Sequence, residues 1–168
     1  MSMKIIAPIA AGVLLALAGA AQAATKTASF DVSATVAANC LINAGNMNLG
    51  TFDGTNNLDT ATSTISVRCT SGLRYDIGLS QGLYGNFTNR RLKITGTDLD
   101  TLVYNLYTDA ARTIVWNETT NVVGGFGAGM SNGSAIPVTV YGKLLASEND
   151  GLGKAGTYED TITATITY

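Results

Sequence analysis

The last eleven residues, Tyr158 to Tyr168, alternate in a way that leaves few folds open. Ile162, Ala164, Ile166 and Tyr168 fall on one face, and Thr161, Thr163, Thr165 and Thr167 fall on the other. Strict alternation with β-branched residues is the pattern of a half-buried strand. A second alternating run comes early in the chain, with Phe30, Val32, Ala34 and Val36 on one face and Asp31, Ser33 and Thr35 opposite. A protein with bare strands near both ends can add backbone hydrogen bonds to another chain. Such an arrangement points to assembly rather than catalysis. The early run also reads as an ordinary first strand of its own domain, and pattern leaves both readings open. From Thr25 to Val36 it spans about 40 Å when extended, long enough to reach beyond its own fold.

Residues 1–23 read as a secretory signal. Lys4 supplies the positive charge, Ile5 to Ala18 form an apolar stretch, and Ala21-Gln22-Ala23 is a small-x-small cleavage site. The apolar run is short of the roughly 20 residues that a membrane span needs. The rest divides into an N-terminal arm, 24–37, and one β domain, 38–168. Ten Lys/Arg stand against twelve Asp/Glu, with no basic stripe, so neither nucleic acid nor an anionic membrane surface is expected as a partner.

Cys40 and Cys69 are the two cysteines, and in an oxidising compartment an even pair reads as a disulfide. The enclosed loop of about 30 residues corresponds to roughly 3–4 kcal/mol in the chain-entropy picture. Histidine is absent, which removes Ser-His-Asp and Cys-His machinery, and two isolated cysteines do not complete a zinc site. Paired carboxylates at Asp98 and Asp100, or Glu159 and Asp160, read as solvated turn residues rather than glycosidase pairs. Glu148 to Gly151 likewise reads as a turn rather than a cation site, and Asn86, Asn117 and Asn132 open Asn-x-Ser/Thr triplets that mark surface loops. No catalytic residue, cofactor, metal ligand or small-molecule substrate is expected.

Between the two ends, short strand-like runs alternate with turns. Strands are expected over 64–70, 74–80, 90–95, 102–108 and 136–145. Gly124 to Gly129 reads as a loop; it lacks the Gly-Lys-Ser/Thr ending and the strand–helix context of a phosphate loop. Tyr104, Tyr107 and Trp116 read as core or edge packing rather than a carbohydrate platform. Helical periodicity is missing after residue 23, so the expected class is all-β, a sandwich in preference to a barrel.

Four segments carry a resemblance: Val67-Arg-Cys-Thr-Ser-Gly72, Tyr104-Asn-Leu-Tyr-Thr-Asp-Ala-Ala-Arg-Thr-Ile-Val-Trp116, Val140-Tyr-Gly-Lys143 and the ending Ala155 to Tyr168. With them the chain resembles the spore coat protein U domain, shared by subunits of archaic (Csu-type) chaperone–usher pili, from about Phe30 to Tyr168. The resemblance implies an immunoglobulin-like β-sandwich that lacks its last strand. It implies a periplasmic chaperone that fills the resulting groove, an outer-membrane usher, and a neighbouring subunit whose arm replaces the chaperone strand. On this chain Phe30, Val32, Ala34 and Val36 would be the donor side chains. Ile162, Ala164, Ile166 and Tyr168 would line the groove and face the chaperone, and Cys40–Cys69 would join the first two strands. The implied product is a surface pilus that supports attachment and biofilm formation. Because the family includes a spore-coat protein, a secreted coat or matrix role with a self-contained sandwich is the alternative.

Overall fold

The computed structural model describes residues 23–149 and 153–168; the expected signal segment falls almost entirely outside them. The chain divides between Thr35 and Val36 into two units. In the first, residues 23–35 enter no ladder, and Phe30 and Val32 are 86% and 84% exposed. The early alternating run is therefore not a paired strand of this subunit among the described residues. A strand's backbone groups need a partner edge, and none is engaged here.

The second unit is the expected all-β sandwich. Its strands are β1 (Cys40–Ala44), β2 (Thr62–Cys69), β3 (Arg74–Leu79), β4 (Arg90–Ile94), β5 (Thr101–Tyr107), β6 (Val123–Phe126), β7 (Ile136–Lys143), β8 (Tyr158–Glu159) and β9 (Ala164–Thr167). One sheet runs β1-β2-β7-β5-β4-β8 and the other β6-β3-β9, with antiparallel pairing throughout. The inward faces follow period two. Ile65, Val67 and Cys69 of β2, Tyr75, Ile77 and Leu79 of β3, and Leu102, Tyr104 and Leu106 of β5 are all buried. Trp116 is fully buried between the sheets and donates its indole N–H to the Ile77 carbonyl at 2.8 Å. Tyr104 and Trp116 are thus core residues, and no exposed sugar platform exists at them.

The motif from Tyr104 to Trp116 is explained by its turn. Asp109 accepts from the backbone N–H groups of Thr113 and Ile114, at 3.0 and 2.8 Å, which closes the loop after β5. Arg112 sits in the left-handed region at φ 56° and reaches the Gly142 carbonyl at 3.0 Å and the Ala61 carbonyl at 3.3 Å. The run therefore fastens β5 to β7 and to the entry of β2.

Three expectations require correction. Gly124 to Gly129 is not simply loop, because Val123–Phe126 pairs with β3. The glycines misled because they serve packing: a Cβ on Gly125 would meet the Tyr75 hydroxyl at 2.6 Å. The C-terminal run is not one strand in one sheet. Tyr158–Glu159 pairs with β4, Ala164–Thr167 pairs with β3, and the chain crosses between sheets at 160–163. Finally, Asp100 and Asp160 are not merely solvated turn residues. The Asp100 carboxylate accepts from the Tyr158 hydroxyl, and Asp160 accepts from the Tyr104 hydroxyl at 2.7 Å and the Leu83 N–H at 2.8 Å.

A cleft between two unpaired strand edges

β1 and β9 are the outermost strands on one side of their respective sheets. The ladder bonds show which backbone groups they leave over. Gly45 N–H donates to the Thr64 carbonyl and Thr70 N–H donates to the Asn39 carbonyl, each at 2.9 Å. Antiparallel bonding alternates, so Cys40, Ile42 and Ala44 turn their backbone groups to the outer edge. On β9, Ser80 N–H donates to the Thr163 carbonyl at 2.9 Å, which by the same alternation turns those of Ile162, Ala164 and Ile166 outward.

Between these edges lies a cavity of about 340 Å³, lined by Ala44, Met47, Ile65, Leu79, Ile162 and Ala164 among others. It continues into a second chamber of about 800 Å³ beneath Phe52, Leu58 and Tyr158, the two sharing Met47, Leu49 and Leu92. Among the described residues, two rows of free backbone groups flank a floor of mainly apolar side chains, with Asn46, Ser63, Asp160 and Thr161 also lining the cavity. That chemistry suits an extended, alternating peptide: the edges supply hydrogen bonds and the floor takes every second side chain.

Of the residues expected at this place, Ile162 and Ala164 line the first chamber. Ile166 pairs with Ile77 and packs on the core, whereas Tyr168 lies beyond the ladder and is 55% exposed. Phe30, Val32 and Val36 are exposed and, like Ala34, belong to no ladder. Cys40 and Cys69 face one another across β1 and β2 and form the disulfide. They occupy a pair that the ladder leaves without mutual backbone bonds, where side chains come closest.

Three features were not legible in sequence. Arg90 is fully buried on β4 and spans the two sheets. Its Nε and Nη2 donate to the Ser80 carbonyl at 2.9 and 2.8 Å, Nη2 to Trp116 O at 2.7 Å, and Nη1 to Asn105 Oδ1 at 2.6 Å. Burial pushes the guanidinium down from its ordinary pKa, yet the surrounding acceptors keep it satisfied as a cation. Asn149, also buried, joins Val103 N–H and carbonyl through its amide, at 2.6 and 2.9 Å. It supplies from a side chain what a neighbouring strand would supply. Gly78 is the third: a Cβ there would meet the Glu118 carbonyl at 2.0 Å, so only glycine lets the 117–118 segment cross β3.

One wall of the second chamber is held by charge. Lys154 Nζ meets Asp98 at 2.7 Å, and Lys154 N–H donates to Asp100 at 2.6 Å. The Lys154 ammonium holds Asp98 below the usual carboxylate range, and the Tyr158 hydroxyl followed by the Lys154 N–H does so for Asp100. Burial, then the Asp100 carboxylate, push the Tyr158 phenol up to about 12. Both aspartates are depressed below an unfolded value of about 3.9, so around pH 4 the unfolded chain binds more protons. Their contribution is complete above that value and is lost as pH falls through the folded pKa values. Thermal melts should show a melting temperature that drops below about pH 4, and drops less steeply with pH in an Asp98→Asn/Asp100→Asn variant. Equal slopes would refute the assignment.

The fold and cleft define a class: an antiparallel β-sandwich with two unpaired edges around an apolar groove. The chain belongs to the Spore Coat Protein U domain family, whose model matches residues 26–165. It is 34% identical over 179 aligned positions to "Protein U" of Myxococcus xanthus, covering 97% of this chain and 96% of that one. Among solved structures it is similar to a chain of the chaperone–tip adhesion subunit pre-assembly complex of archaic chaperone–usher Csu pili of Acinetobacter baumannii. The TM-score is 0.55 at 24% identity, over 80% of this chain and 40% of that chain. That likeness is one of fold.

Proposed function

We propose that this chain is a structural subunit of a chaperone–usher pilus and that it polymerises by donor-strand exchange. The observation that carries the reading is the cleft, with two unpaired strand edges and an apolar floor in a chain that also owns an alternating run outside any ladder. The lengths agree. Phe30 to Val36 and Ile162 to Tyr168 each cover six residue steps, about 20 Å as extended chain.

In this reading residues 1–23 direct secretion, 24–37 form the donor arm and 38–168 form the acceptor domain. A periplasmic chaperone lends a strand to the cleft. The arm of the next subunit then replaces it, placing Phe30, Val32, Ala34 and Val36 over the floor beside Ile162, Ala164 and Ile166. The exposed C-terminal Tyr168 is left to meet the chaperone. Donor and acceptor surfaces differ, so the contact is heterologous and builds an open filament. An outer-membrane usher would export the fibre to the cell surface, where it supports attachment and biofilm. Supporting the partners is the fold shared with a chain of a chaperone–tip adhesion subunit complex.

The test is an unheated denaturing gel of periplasmic protein from the full chain and a variant lacking residues 24–36. The expected result is a ladder of multimers that collapses on heating and is absent from the variant. Monomer alone in both samples would sink the proposal. It would favour instead a secreted coat or matrix protein, in keeping with the spore coat in the family's description.

A further inference from the structure

We infer that Thr70 is a positioning residue that keeps the arm from filling its own subunit's cleft, an inference that rests on the donor-strand reading. β1 begins at Cys40 opposite Cys69, and the next turn leads to β3, where Asp76 lies opposite Thr167. The start of β1 and the C-terminus therefore share one end of the cleft. The pairs Ala44–Ile65 and Leu79–Ala164 lie toward the other.

To enter its own cleft, the arm must reverse within Ala37, Ala38 and Asn39 and lie antiparallel on the free edge of β1. Thr70 holds the groups that such a reversal would have to release. Its Oγ1 accepts from Asn39 N–H at 3.1 Å and donates to the Ala37 carbonyl at 3.1 Å, while its own N–H donates to the Asn39 carbonyl at 2.9 Å. These bonds carry the β1–β2 pairing past Cys40 to Ala37. A three-residue hairpin loop also needs a residue in the left-handed region, and none of residues 37–39 has a positive φ.

Strand direction does not discriminate between donors: β9 runs toward the end where β1 begins, so any strand laid between them is antiparallel to one edge and parallel to the other. The Thr70 hydroxyl thus disfavours the internal donor and leaves the cleft to a second copy of this chain.

The experiment compares full-length wild type, Thr70→Val, Thr70→Ser and the variant lacking residues 24–36. It uses unheated gels and hydrogen exchange over residues 30–36 of the monomer fraction. With Thr70→Val, which loses both hydroxyl bonds, the monomer fraction should rise at least about fivefold, the factor that one of them is worth, and its arm amides should become protected. Thr70→Ser, which keeps the hydroxyl, should match wild type. A merely structural role would lower stability without protecting the arm. In case Thr70→Val misfolds, Ala37→Asn/Ala38→Gly offers a hairpin turn with Thr70 intact and should shift the same balance. Wild-type polymer in every folded variant, or monomers with open arm amides, would overturn the role of Thr70. Persistence of polymers in the arm deletion would overturn the donor-strand reading itself.

Discussion

Replacing Arg90 by alanine is expected to remove about 3–5 kcal/mol of stability, a large share of the roughly 5–15 kcal/mol that a domain holds in reserve. The guanidinium satisfies the carbonyls of Ser80 and Trp116 and the side chain of Asn105; Trp116 and Asn105 are buried, and Ser80 is half-buried. Removing it takes the guanidinium donors from the Ser80 and Trp116 carbonyls and leaves Asn105 Oδ1 with the Leu106 N–H alone, at about 1–3 kcal/mol per buried group left unsatisfied. The loss is not confined to β4. Asn105 also donates to the carbonyls of Phe87 and Thr88, so the loop between β3 and β4 loses its anchor as well. Arg90→Lys keeps the charge but not the fork that spans three partners, and should recover only part of the loss. Denaturation midpoints of the three proteins check this. A midpoint for Arg90→Ala within error of wild type would show that the buried cation is dispensable.

Loss of the disulfide is the second large effect. Cys69→Ser should lower stability by about 2–5 kcal/mol and reduce the yield of folded subunit in an oxidising compartment. Part of this is chain entropy, since the bridge closes a loop between residues 29 apart. Location adds to it. β1 is an edge strand, paired on one side by β2, and the bridge ties its first residue to the last residue of β2. Without the bridge, β1 can fray and take one wall of the cleft with it, so strand acceptance should fall along with stability. Reductant added to the wild-type subunit should reproduce the drop in melting temperature. Equal yield and equal melting temperature for Cys69→Ser would refute both parts.

Much of the fold was legible because it rests on period two. The alternation in β2 and in β9 states which side chains go inward, and burial followed it, whereas β5 is buried on both faces from Leu102 to Leu106. The strand at Val123–Phe126 escaped because glycine carries no side chain to show a phase; its reason for being there is the Tyr75 ring on the neighbouring strand. The sheet crossing at 160–163 escaped for a related reason. Alternation reports faces, not partners, and it runs unbroken through a segment whose first residues pair with β4 and whose last pair with β3. Asp160 marks that crossing through its bonds to Tyr104 and Leu83, contacts between residues far apart in the chain.

The all-β class, the pair of cysteines and the two alternating runs near the ends were readable residue by residue, because strand periodicity and cysteine number are local properties. That β1 and β9 are edges with a cleft between them, that Arg90 joins the sheets, and that Thr70 holds Ala37 and Asn39 emerged with the folded chain. Edges, clefts and buried hydrogen-bond partners are relations between distant segments. They exist only once the chain has chosen which strands to leave unpaired.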